Sequence, residues 1–153
     1  NGGGQIVIAG HSGAVARASE RALRAGARRA VPLPVSAPFH CALMEPARER
    51  LRPVHQGIDF HDPGLPVFAN AAAAPVTTAA AEREALLRQV ASPVRWEETV
   101  RRMAGEGTQV FVEVGPGRVL AGLVRRIARG AEVLPASDPG EILAVAGRTG
   151  EAA

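Results

Sequence analysis

Tyrosine and lysine are missing from the 153 residues, and cysteine and tryptophan occur once each. Aromatic residues make up only 3% of the chain although 46% of it is hydrophobic, so any core must be built from Ala, Val, Leu and Ile. One cysteine, Cys41, excludes an internal disulfide and any metal site that needs several thiolates. The four histidines show no metal-ligand spacing either. No apolar run approaches the roughly 18 residues that a membrane span requires, and no signal-peptide pattern is present. These absences fit a reducing, cytoplasmic setting. With lysine absent, all 18 basic residues are Arg, set against 15 acidic ones for a net charge of +3. Because the acids are mixed among the arginines, the pI of about 10.8 carries little weight as a sign of nucleic-acid binding. A modestly basic face could meet an acidic protein partner, or it could simply be solvated.

The chain length suits one ordinary domain with a core. After a glycine-rich lead-in over 1–4, Gln5–Ala9 reads as a short buried strand. Ala14–Ala25 reads as a helix stopped by Gly26, with Arg17, Arg21, Arg24 and Arg28 along one wet face. Ala30–Val35 reads as an edge strand, since Pro32 and Pro34 cannot donate ladder bonds. A helix over His40–Arg52 should be irregular near Pro46. A loop follows over Asp59–Pro66, then a short strand over Leu65–Phe68. The stretch 71–80 is low in information and reads as a surface excursion. Glu82–Val90 reads as a helix, and Ser92-Pro93 as the start of the next, with Trp96, Val100 and Met103 on one stripe. Gln109–Val114 is the clearest strand. A Gly115-Pro116-Gly117 turn, a helix over Val119–Ala128 and a last strand over Ala131–Pro135 follow. Residues 136–153 read as a tail with a short helix near Ile142. Strands alternating with helices place the chain in the α/β class. The chain opens on Asn1 rather than Met and enters a strand almost at once, which suggests a segment of a longer protein.

Three stretches could carry chemistry. Gly10-His11-Ser12-Gly13-Ala14 nearly matches the G-x-S-x-G elbow that holds a nucleophilic serine on a strand-to-helix turn. Its last position is Ala14 where close packing wants Gly, and Ser12 could equally sit near a helix cap. His40, in Pro38-Phe39-His40-Cys41-Ala42-Leu43-Met44, is a candidate general base, or a satisfied histidine at a helix start. As a base it would need its second ring nitrogen held by an acceptor. Val112 to Gly117 places a glycine turn before a helix, where phosphate can bind, or it is a tight connection. It lacks a full dinucleotide or P-loop pattern.

Five stretches, QIVIAGH over 5–11, PLPVSAPFHCALM over 32–44, LPVFAN over 65–70, LRQVASPVRW over 87–96 and VEVGPGRVLAGL over 112–123, run in an order that resembles one family. It is the malonyl-CoA:acyl carrier protein transacylases, which include the acyltransferase domains of polyketide and fatty acid synthases. The likeness is to the C-terminal half and covers about residues 5–135. It implies a large α/β-hydrolase-like subdomain with an inserted ferredoxin-like small subdomain. Residues 1–38 would close the small subdomain, 39–135 would belong to the large one, and 136–153 would form a tail.

By the same resemblance His40 is the catalytic histidine in a cleft between the lobes. Gln89 falls where a glutamine backbone helps to orient that histidine, and Asn70 matches an asparagine near the site. Phe39 resembles the malonyl-selecting type. The implied reaction moves a malonyl group from coenzyme A, through a serine ester, to the phosphopantetheine thiol of acyl carrier protein in fatty acid biosynthesis. Malonyl-CoA is a substrate, and no cofactor, metal, nucleic acid or membrane is implied. The family's nucleophilic serine, oxyanion-hole donors and malonyl-binding arginine lie upstream and are not among these residues, so the chain alone is expected to be inactive. Gly10–Ala14 aligns with a turn of the small lobe, which makes Ser12 a decoy. Other readings are a polyketide synthase acyltransferase domain, a hydrolase-like protein using Ser12, and a non-catalytic fragment that binds a carrier protein.

Overall fold

The computed structural model describes residues 1–150. Mixed α/β structure is present, but it falls into two units: Val7–Arg95, and Asn1–Ile6 with the chain from Trp96 onward.

In the first unit, α1 (Ser12–Arg24) follows His11 and ends where Gly26 takes a positive φ of 96°. It buries no residue, and its arginine face is exposed as expected. A 3-10 turn, Ala42–Met44, leads into α2 (Glu45–Gln56). The helix starts at Glu45 and not at the expected His40, and Pro46 sits in its first turn, where the missing N–H interrupts no helical bond; the proline inside the helix is Pro53. On α2, Glu49 is gripped by Arg52 and Arg48, whose hydrogen bonds lower its carboxyl to about 2. Strands β1 (Val67–Ala69) and β2 (Ala74–Val76) form an antiparallel hairpin with Phe68 opposite Pro75. Helix α3 (Ala79–Val90) is capped at Thr78, whose hydroxyl accepts from the Ala81 N–H, and it buries Leu87. It packs on α2 and β1.

The second unit holds α4 (Trp96–Gly105), β3 (Val110–Val114), α5 (Val119–Ile127), β4 (Glu132–Ala136) and α6 (Pro139–Gly150). Strands β3 and β4 run parallel, with Val112 opposite Leu134, and α5 makes the crossover. The core is a cluster of Val100, Val124 and Ala128 packed by Trp96, Phe111, Ile127 and Val133. Gly2 is tucked against this unit. A Cβ there would lie 2.8 Å from Glu97 Cβ and from Ile127 Cδ1, so only glycine fits.

Several expectations are corrected. Gln5–Ala9 and Ala30–Val35 form no strand: Gln5 makes one isolated bridge to Gly2, and Ile6, Val31 and Val35 are exposed. Apolar β-formers make a strand only when a partner strand takes up their backbone groups, and among the described residues none pairs with them. The Ala-rich stretch over 71–80 is more than a surface loop, since it holds β2 and buries Ala73. Helix α4 starts at Trp96, not at Ser92-Pro93. Residues from 139 form the twelve-residue α6, started by Asp138, whose carboxylate accepts from the Glu141 N–H. The last three residues of the expected tail lie outside the described residues.

Candidate active site

His40 sits in a turn built by its neighbours. The Phe39 N–H donates to the Ala37 carbonyl at 2.9 Å, and Cys41 Sγ donates to the Pro38 carbonyl at 3.2 Å. Between these two bonds His40 takes a left-handed φ of 60°, a conformation that costs a residue with a side chain on the order of 1 kcal/mol or more. The ring is solvent-exposed, and Phe39 is 46% exposed beside it.

The partner comes from the end of α3. The last carbonyls of a helix lack intrahelical donors. One of them, Gln89 O, lies 3.2 Å from His40 Nδ1. The side chain of Gln89 also reaches the ring, with Nε2 3.3 Å from Nδ1, and it donates to the Ser92 carbonyl at 3.0 Å. Gln89 Oε1 is buried without a partner.

His40 and Gln89, forty-nine positions apart, are therefore brought together. Phe39 adjoins them by sequence. Asn70 lies in the β1–β2 turn, where its carbonyl accepts from the Arg95 N–H at 3.1 Å and Arg95 Nη1 donates to the Ala72 carbonyl. Sequence reasoning missed Ser92 and Arg95. Ser92 acts through a backbone carbonyl, which no residue type announces, and Arg95 is one of many arginines.

The other two candidates lose their footing. Ser12 is the exposed first residue of α1, and no strand runs into its turn, so the geometry of an elbow is absent. At the Gly115-Pro116-Gly117 turn the α5 N-terminus already holds an anion of the chain itself. The Glu113 carboxylate accepts from the Leu120 N–H at 3.0 Å and the Ala121 N–H at 2.8 Å. The donors that would cradle a phosphate are occupied. Among the described residues no group of three or more His, Cys, Asp or Glu could hold a metal ion, and no helix is long and apolar enough to cross a membrane.

No family model matches the chain. Individual proteins do. A malonyl CoA-acyl carrier protein transacylase of Bacillus subtilis is 46% identical over 136 residues, which is 89% of this chain and 43% of that protein. A malonyl CoA-acyl carrier protein transacylase structure from Coxiella burnetii superposes with a TM-score of 0.86 at 42% identity, over 91% of this chain and 44% of that one. A type II PKS acyl-carrier protein in complex with its malonyl-transacylase gives 0.84 at 42% identity, over 90% and 44%. The fold is thus the mixed α/β fold of the acyl-carrier-protein malonyltransferases. The chain is thus homologous to a C-terminal part of the malonyl CoA-acyl carrier protein transacylases. It spans less than half the length of the curated relatives it matches.

Proposed function

We propose that these residues are the histidine-bearing part of an enzyme that transfers a malonyl group from coenzyme A to the phosphopantetheine thiol of acyl carrier protein. The observation that carries this reading is the Nδ1 contact of His40 with the Gln89 carbonyl. With the proton on Nδ1, the ring donates to that carbonyl and leaves Nε2 bare and exposed, the form a general base requires.

In the proposed reaction a serine from polypeptide outside these residues attacks the malonyl thioester while His40 Nε2 takes its proton. The thioester C–S bond breaks, and the departing CoA thiolate receives that proton. The phosphopantetheine thiol of the carrier protein then gives its proton to Nε2 and attacks the serine ester, and the serine oxygen recovers the proton. The C-terminal end of α3, which bears partial negative charge, faces the ring while it is cationic. The cycle balances without a metal or redox cofactor. Phe39 would flank the acyl group and favour malonyl, and Asn70 would support the site from the β1–β2 turn. The finer architecture, a hydrolase-like body with a ferredoxin-like insert, and a cytoplasmic location belong to the same proposal. The lone half-buried thiol of Cys41 supports the location.

The match to the transacylase of a type II PKS carrier protein, at the identity of the Coxiella match, supports a second reading in which the carrier serves polyketide synthesis. The test of the shared claim is mass spectrometry of residues 1–153 after incubation with malonyl-CoA. No acyl adduct is expected. A stable adduct on Ser12 would instead establish a self-contained, hydrolase-like protein.

A further inference from the structure

We propose that the side-chain amide of Gln89 is a positioning group that selects between the two neutral tautomers of His40. Its consequence for transfer rests on the reading of His40 as proton carrier, but its geometry does not.

Gln89 offers Nδ1 two opposite partners. Its carbonyl, at 3.2 Å, needs a proton on Nδ1, whereas its Nε2, at 3.3 Å, needs a lone pair there. One ring nitrogen can answer only one of them at a time. With the proton on Nδ1, His40 donates to the carbonyl and Nε2 is free to accept a proton from a hydroxyl. With the proton on Nε2, Nδ1 accepts from the amide, and the outward nitrogen is a donor that cannot act as base.

The orientation of the amide is fixed independently. Nε2 also donates to the Ser92 carbonyl at 3.0 Å. Turning the amide over would set Oε1 against that carbonyl, acceptor to acceptor. Oε1 meanwhile stays buried and unpaired, so the side chain is held in place by its N–H end. The two N–H bonds of the amide thus bridge Ser92 to the ring, and Gln89 keeps part of the resting histidine in the form that cannot take a proton. Moving to the active form shifts one proton from Nε2 to Nδ1 through solvent, with no other bond changed.

The test is long-range proton–nitrogen spectroscopy of histidine-labelled residues 1–153 at a pH where the ring is neutral. Both His40 tautomers are expected in the parent chain. Gln89→Met keeps the length of the side chain but offers no N–H, and should move the ratio about five-fold toward the Nδ1–H form, the effect of one neutral hydrogen bond. Gln89→Glu exchanges a donor for an acceptor, should move it the same way, and serves if the Met variant loses a dispersed amide spectrum. An unchanged ratio, or a parent ring found only as Nδ1–H, overturns the proposal. These readouts do not involve acyl transfer, so failure here leaves the transfer reading standing, and failure of that reading leaves the tautomer balance standing.

Discussion

At the scale of residues, the candidate site is one imidazole, His40, held against one glutamine, Gln89. His40 is held in left-handed backbone, and that strain is offset by the neighbouring turn bonds of Phe39 and Cys41. Glycine adopts this region without a Cβ penalty, whereas alanine does not. His40→Gly should therefore unfold at higher denaturant than His40→Ala, by about 1 kcal/mol. Equal stability, or a more stable alanine variant, in urea titrations would mean that the left-handed turn is not imposed on the residue. The residue scale was also where the sequence spoke most clearly. His40 stood out through its flanking Pro38-Phe39 and Cys41 to Met44, and Gln89 through the Leu87 to Trp96 stretch. What could not be read was the Gln89 amide bridge to Ser92, because it ends on a backbone atom that every residue possesses.

Elements were legible in proportion to their periodicity and to whether their partners lie in the chain. The spacing of Leu120, Leu123, Val124 and Ile127 predicts one inward stripe on α5, and Leu123 and Val124 are buried. Leu120, on the same expected face, is exposed. The run over 71–80 was opaque because alanine has no contrast from which a period can be read, and β2 went unseen. Gln5–Ala9 and Ala30–Val35 have strand composition but no ladder, since pairing is a property of two segments rather than one. Among the connections, the Glu113 carboxylate joins the end of β3 to the start of α5 through two backbone N–H groups. Glu113→Ala leaves both donors unpaired and should destabilise the unit by about 2 kcal/mol. Thermal unfolding checks this. A loss within error of zero would show that solvent caps α5 as well as the carboxylate does.

For the molecule as a whole, the described residues bury few hydrophobic side chains: Leu87, Val100, Leu123, Val124 and four alanines. Meanwhile Ile6, Val31, Leu33, Val35 and the outward face of β3, with Val114 77% exposed, remain open to solvent. A parallel sheet is normally covered on both faces, so the outward face of β3 is open to contact with other polypeptide. That agrees with a chain spanning less than half the length of the relatives it matches. The proposed role of His40 as proton carrier for acyl transfer applies to a protein that joins this chain to the rest of its relatives' length. The most direct measurement is the rate of malonyl transfer from malonyl-CoA to a holo acyl carrier protein by that protein, with His40 intact and with His40→Ala. A loss of about 10²–10⁴-fold with unchanged circular dichroism is expected. Transfer by the alanine variant at close to the parent rate would contradict it.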